Sequence, residues 1–479
     1  MNQKQTPLYD ALLQYTDRQI YSLHVPGHKD GLTFFHRAQP RFQSLLQIDA
    51  TEIEGLDDYY HATGVIAEAQ ALLADLYGTV KSYFLVNGTT VGNLAMVKAA
   101  LRPGDRVLVQ RDSHKSIFNA LKLMDLRPVF LASEIDPDTG LAPGPSKETV
   151  AAAIRRYPDA KALILTYPNY YGMANKDMAE IIKFAKQKGL IVLVDEAHGA
   201  HFIAGKPFPE STLKMGADLV VQSAHKTLPA MTMGSYLHIN TERVLPEAVE
   251  AALEMLQTSS PSYPIMASLD LARAYLAAMD DEAVSAIADR IAAFKEQLSD
   301  IPGIAIASSR VHGQDPLKIV LRGPEPGFSL QERLIKAGLY PEMADPFYVL
   351  FILPLDDRAP FERILQAMRQ AFAGMSGEKT AAFKANGLSL RSDAPIGELA
   401  VGFREMDVLD KETVPLSAAL DRVAAETIIP YPPGVPVLLN GERVTAQHLE
   451  AIARWRTAGA KFHGLDAEAA EATLTVYKL

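Results

Sequence analysis

The sequence predicts an α/β protein: a mostly parallel sheet domain, then a smaller α+β domain, then a C-terminal domain. Two observations carry that expectation. Across residues 65–222, helical stretches alternate with short, continuous apolar runs, the pattern of strands buried on both faces. Most of these runs end in a polar cluster, and in open α/β sheets the C-terminal strand ends line the ligand crevice.

The elements follow in order. Residues 1–55 form an N-terminal segment with a short helix candidate and the loop Leu23-His24-Val-Pro-Gly27-His28-Lys-Asp-Gly31, punctuated by turn residues. The large domain is expected over 56–290. Its periodicity gives helices at 65–77, 91–101, 115–124, 147–156 and 177–188, and a short helix near 211–215. Strands fall at 82–86, 106–110, 127–131, 161–166, 190–194 and 218–222. Long helical stretches at 244–257 and 264–299 come next. Strands near 317–321 and 347–353 with a helix at 360–373 make the small α+β domain, 291–376. The glycines of Gly374-Met-Ser-Gly-Glu-Lys379 mark a break before the C-terminal domain, 377–479. There Tyr431-Pro-Pro-Gly sets an extended lead-in to an apolar strand.

A chain of 479 residues, 48% hydrophobic and 22% charged, has the composition of a globular protein with about three domains. A net charge of −10 argues against nucleic acid or an anionic membrane as partner, because both need a cationic face. It would instead attract a small cationic substrate. Zero cysteines exclude disulfides and thiolate chemistry and fit a cytoplasmic location. The N-terminus lacks the apolar core of a signal peptide. The longest apolar segment, Tyr348-Val-Leu-Phe-Ile-Leu-Pro-Leu355, is too short to cross a bilayer.

The most informative strand ends are Val-Leu-Val-Asp195-Glu196-Ala-His198-Gly and Val-Val-Gln-Ser223-Ala-His225-Lys226. Taken singly, a lysine past a strand is a solvated loop residue, and an aspartate there caps the next helix. Together, 31 residues apart at neighbouring strand ends, they point to pyridoxal 5'-phosphate. The lysine would form the Schiff base and the acid would partner the pyridinium nitrogen. Asp195, Glu196, His198 and His201 could alternatively bind a metal. Their His-x-x-His spacing departs from the helical His-Glu-x-x-His pattern and no cysteine assists, so no metal is expected.

Three other clusters each allow two readings. Asn87-Gly88-Thr89-Thr90 is either a turn or a phosphate site at a helix start. His114, in Asp112-Ser113-His114-Lys115-Ser116, either stacks on a pyridine ring or sits at a helix N-terminus capped by Asp112 or Ser113. Tyr167-Pro-Asn169-Tyr170-Tyr171-Gly172 either contacts the ring oxygen or is a proline turn.

The order Asn-Gly-Thr-Thr, Ser-His-Lys-Ser, Asp-Glu-Ala-His-Gly and Ser-x-His-Lys resembles the Orn/Lys/Arg decarboxylases, as do His-x-Pro-Gly-His and Tyr-Pro-Pro-Gly-Val-Pro nearer the termini. These are fold type I pyridoxal phosphate enzymes with the aspartate aminotransferase-like fold, here in the short form without a wing domain. The resemblance implies Lys226 as the Schiff-base lysine, Asp195 as the pyridinium partner, His114 stacked on the ring and His198 beside it. It also implies Thr89, Thr90, Ser223 and His225 around the phosphate. Ser259 and Ser260 match a stretch that in this fold reaches the neighbouring subunit's phosphate. A homodimer or higher homo-oligomer with shared active sites is therefore implied. Tyr167-Pro-Asn169 departs from the Asn-Pro-Thr of many relatives, and Asn440-Gly441-Glu442 from their Pro-Gly-Glu.

The implied reaction converts a basic amino acid, arginine ahead of lysine or ornithine, to its amine and carbon dioxide. Another fold type I enzyme, such as an aminotransferase or an aldolase-like lyase, is the alternative. A basic substrate needs a carboxylate for its distal cation. Glu442 is the first candidate, with Asp57 and Asp58 after it.

Overall fold

The computed structural model describes residues 1–18, 20–375, 394–430, 434–466 and 472–479. Most of the expected break at 374–379, and the Tyr431-Pro-Pro lead-in, lie outside the described residues.

The elements begin with α1 (Pro7–Thr16), α2 (Gln39–Gln47), α3 (Val65–Tyr77), β1 (Lys81–Leu85), α4 (Gly88–Ala100), β2 (Arg106–Gln110), α5 (Lys115–Leu123) and β3 (Arg127–Leu131). They continue with α6 (Lys147–Arg156), β4 (Ala162–Thr166), β5 (Met173–Ala174), α7 (Met178–Gln187), β6 (Ile191–Asp195), β7 (Leu219–Gln222), α8 (Ala224–Thr227) and β8 (Ser235–Ile239). Next come α9 (Pro246–Leu256), α10 (Tyr263–Ala277), α11 (Asp281–Ser299), β9 (Ala305–Ile306), β10 (Gly313–Gln314), β11 (Lys318–Arg322), α12 (Gly327–Lys336), β12 (Met343–Ala344), β13 (Val349–Ile352) and α13 (Phe361–Ala371). The C-terminal part holds β14 (Ile396–Glu398), α14 (Phe403–Met406), β15 (Lys411–Pro415), β16 (Ile429–Pro430), α15 (Ala446–Thr457), β17 (Phe462–His463) and β18 (Thr473–Tyr477).

The chain forms two compact units. The first comprises Met1–Ala100, Leu193–Lys206 and Glu210–Glu282. Its strands run in the order β1-β8-β7-β6. Strands β6 and β7 are parallel, with Asp195 opposite Val221. Strand β8 returns antiparallel to both β7 and β1, because the segment before it carries only the four-residue helix α8, too short for a face-covering crossover. Phe84, Leu85, Val220, Val221, Tyr236 and Leu237 are fully buried in this layer, each apolar side chain contributing about 1.5–3 kcal/mol. Helix α4 lies close on the strands because residue 92 is glycine. A Cβ there would meet Val221 Cγ1 at 2.5 Å and Leu85 Cδ1 at 2.7 Å.

The second unit comprises Leu101–Val192, Pro207–Pro209 and Ala283–Leu479. Strands β4-β2-β3-β14 neighbour one another in that order. Strand β2 is parallel to β3 and β4, and β14 closes the edge antiparallel to β3. A separate antiparallel sheet runs β12-β13-β11-β9. Near the C-terminus Ile428, Leu438, Ile452, Trp455, Leu474 and Val476 form a core of their own.

Four expectations change. Helix α4 starts at Gly88, so Asn-Gly-Thr-Thr is the helix start itself. Residues 211–215 form successive turns, with Lys214 N–H donating to Ser211 O and Gly216 N–H to Leu213 O, and no helix forms over them. The 264–299 stretch is two helices: α10 closes at Ala278, and α11 starts anew with Asp281 and Glu282 in its first turn, where acidic side chains suit the helix dipole. The apolar run after residue 434 is a buried loop whose Leu438 makes one isolated bridge with Ile428.

Candidate active site

Asp195 ends β6 and is 3% exposed. Its Oδ2 accepts a 2.8 Å hydrogen bond from Asn93 Nδ2, and its Oδ1 accepts one of 3.1 Å from Ala197 N–H. Asn93 reaches it because Gly92 lets α4 settle against the strands. Two donors on different elements thereby set the plane of the carboxylate. At the next strand end, β7 passes through Ser223 into α8, which carries Lys226. Lys226 Nζ lies 3.1 Å from Nε2 of His198, itself buried. The ladder continues past both strand ends, Glu196 N–H donating to Val221 O at 2.9 Å and Ser223 N–H to Ala197 O at 3.3 Å. The Asp195–His198 and Ser223–Lys226 segments are thus held side by side.

The 13-residue helix α4 opens with Gly88 at φ +74°, and Thr89 and Thr90 lie in its first turn. Thr89 Oγ1 is 2.9 Å from Ser223 Oγ. Thr90 is exposed, and His225 donates from Nδ1 to Gly234 O at 2.9 Å. The loop carrying Ser260 is tied to the same helix start: Thr258 N–H donates to Asn87 Oδ1 at 3.1 Å, and Val86 N–H to Gln257 Oε1 at 2.9 Å. Ser259 and Ser260 are exposed. N–H groups at a helix start with hydroxyls beside them suit a phosphate. An amine, a buried carboxylate and that cradle match the aldehyde, ring nitrogen and phosphate of pyridoxal phosphate.

The remaining candidates have other engagements. His114, in the second unit, is the N-cap of α5; its Nδ1 accepts from Ser116 N–H and lies 2.8 Å from Ser116 Oγ. Asn169 spends its amide on backbone partners, donating to Ala142 O at 2.9 Å and accepting from Met173 N–H at 2.8 Å. Glu442 receives Arg111 Nε at 2.8 Å and Nη2 at 2.6 Å, and Leu439 N–H at 2.8 Å. In the first unit Asp57 accepts from the backbone at the start of α3. Asp58 accepts from Tyr60 N–H at 2.9 Å, and its side chain is 48% exposed. Among the described residues no group of three or more His, Cys, Asp or Glu side chains is arranged to hold a metal.

Residues 6–319 match the family model of the Orn/Lys/Arg decarboxylase major domain, and residues 400–471 match that of its C-terminal domain. The chain belongs to the Orn/Lys/Arg decarboxylase family. Among its relatives, the uncharacterized protein YaaO of Bacillus subtilis (strain 168) is 45% identical over 457 residues, covering 94% of each chain. The arginine decarboxylase of the same organism is 32% identical over 480 residues, covering 97% of this chain and 96% of the relative. Among solved structures, the lysine decarboxylase LdcF of Francisella novicida superposes with a TM-score of 0.81 at 18% identity, covering 99% of this chain and 81% of that one. The fold is therefore α/β, fold type I. As an Orn/Lys/Arg-family member the chain is a pyridoxal phosphate-dependent decarboxylase of a basic amino acid.

In this decarboxylase the sequence left unmarked one residue that the structure sets against Asp195. Asn93 had one signal, a polar residue inside the apolar helix stretch Val91-Gly-Asn93-Leu-Ala-Met. Glu196, read as a metal-ligand alternative, is engaged in a buried network. Its Oε1 accepts from Ser211 Oγ and Gln222 Nε2, each at 2.7 Å, and its Oε2 accepts from Thr212 N–H at 2.7 Å and from the Thr212 hydroxyl. Burial pushes its carboxyl up to about 7, against the opposing pull of those donors.

Proposed function

We propose that the chain decarboxylates L-arginine on pyridoxal phosphate carried by Lys226. The observation that carries this reading is the contact of Lys226 Nζ with His198 Nε2 at 3.1 Å, in segments that run beside the buried Asp195. Bound pyridoxal phosphate supplies an electrophilic carbonyl and an electron-accepting ring. Asp195, oriented by Asn93 and Ala197, keeps a proton on the pyridine nitrogen. The α4 N-terminus with Thr89, Thr90, Ser223 and His225 would hold the phosphate, and His114 would contact the ring. Lys226 would carry the cofactor and, with its Nζ next to His198 Nε2, would be the group that supplies a proton to Cα.

Arg111 already neutralises Glu442, so the carboxylate we assign to the distal cation is Asp58. Glu52 is close enough that Asp58 adds to the burial that raises its carboxyl. Paired carboxylates suit a spread guanidinium charge. The relationship to the Bacillus subtilis arginine decarboxylase favours arginine over lysine. We further infer a homodimer or higher homo-oligomer in which Ser260 serves the neighbouring subunit's phosphate.

The test offers arginine, lysine and ornithine to purified protein loaded with cofactor. Arginine should show the highest kcat/KM, and the Lys226→Ala protein should lose both activity and the visible band of bound cofactor. A preference for lysine or ornithine would overturn the substrate assignment. A keto acid formed without carbon dioxide would overturn the reaction.

A further inference from the structure

A chain of buried side chains leads from strand β1 to the residue beside Asp195. His238 Nε2 is 3.1 Å from Gln222 Oε1, and since an amide oxygen only accepts, that nitrogen carries the proton. His238 Nδ1 then accepts from Ser82 Oγ at 2.7 Å, whose oxygen accepts from Thr79 Oγ1 at 2.7 Å. With its carbonyl fixed by His238, the Gln222 amide can only present its NH₂ to Glu196 Oε1. Every donor therefore points towards the Glu196 carboxylate. Ser82, His238, Gln222 and Glu196 are all fully buried. Burial also lowers His238 to about 3, so its ring stays neutral and the direction of the chain does not reverse.

Two members of this chain adjoin the reacting groups. Glu196 directly follows Asp195, and Gln222 directly precedes the Ser223–Lys226 segment. A Cβ at Gly199 would strike Glu196 Cγ at 2.7 Å and Phe202 Cδ2 at 3.0 Å, so the backbone after Asp195 passes close against the Glu196 side chain. We propose that Glu196 is a positioning residue that, through Gln222, His238 and Ser82, fixes the Asp195 segment against the Lys226 segment. It touches neither substrate nor cofactor; it acts through the two that do. The proposal rests on Lys226 as the cofactor lysine.

Gln222→Met cuts the tie at its centre, and Ser82→Ala removes the donor to His238 Nδ1. Each is read in four ways: thermal midpoint, cofactor affinity by titration of the apoprotein, the pH midpoint of the visible band of bound cofactor, and kcat against KM for arginine. Misplacement by a fraction of an ångström predicts a kcat for Gln222→Met lower by about 100-fold with KM little changed. Cofactor affinity should weaken by about tenfold, with a shifted band midpoint. Ser82→Ala should show the same changes in smaller measure, and it remains the reading if Gln222→Met does not fold. A folded variant with wild-type kcat, cofactor affinity and band midpoint overturns the proposal. A wild-type protein that acquires no visible band with pyridoxal phosphate overturns instead the Lys226 assignment beneath it.

Discussion

Both oxygens of Glu442 face one guanidinium, and each partner is only 13–14% exposed. Neither charge has much water to fall back on. Removing the guanidinium alone leaves a poorly solvated carboxylate, a loss on the order of 3 kcal/mol, whereas removing both charges avoids that cost. Arg111→Met should therefore lower the thermal midpoint by more than the double variant Arg111→Met/Glu442→Gln. A double variant less stable than Arg111→Met would refute the pair's isolation from water. The same pair shows what the sequence could and could not tell. That Asp195 and Lys226 follow strands was legible, because strand ends are marked by the apolar runs before them. That Glu442 is spoken for was not, since its partner lies 331 residues away. Gln222 and His238 were hidden for the same reason, being polar residues within apolar strands whose partners come from other strands.

At the scale of the element, α3 shows a cap supplied from a distance. Gly64 has no side chain to cap it, and Asp57 does so instead. Its Oδ2 accepts from Gly64 N–H at 2.8 Å and Ile66 N–H at 3.1 Å, and its Oδ1 from Thr63 N–H at 3.0 Å. Burial raises the Asp57 carboxyl, but the backbone donors, Thr63 and Gly64 foremost, outweigh it and hold the group below its usual value. A depressed folded value means stability that is present above the unfolded value and lost as pH falls through the folded one. Asp57→Ala should cost about 1 kcal/mol at neutral pH and show a flatter decline of melting temperature on acidification. A mutant curve parallel to wild type would contradict the cap. The extent of α3 was plain from periodicity, as were most helices and strands of the first half. The turns at 211–215 were misread as a helix because Ser211 and Thr212 are held by Glu196, a contact no local pattern encodes.

At the scale of the molecule, the N-terminal segment leaves Tyr21, Leu23, Leu32 and Phe35 between 76% and 95% exposed. Apolar side chains gathered in so short a stretch mark an interaction surface, and a second copy of the chain is the partner we infer. Sedimentation should give a dimer or larger, and Leu23→Glu/Phe35→Glu should dissociate it with loss of activity; an active monomer would end the shared-site reading. The α/β class was readable from alternation alone, because buried parallel strands must be apolar throughout. The antiparallel strands β8 and β14 were not, since direction depends on the path of the connecting chain.

The central claim is decarboxylation of arginine at Lys226. Collecting carbon dioxide from arginine labelled at the carboxyl carbon tests it most directly. The wild-type protein should release labelled carbon dioxide and amine one for one, and Lys226→Ala should release none. Label retained in a keto acid, or release undiminished in Lys226→Ala, would contradict the account.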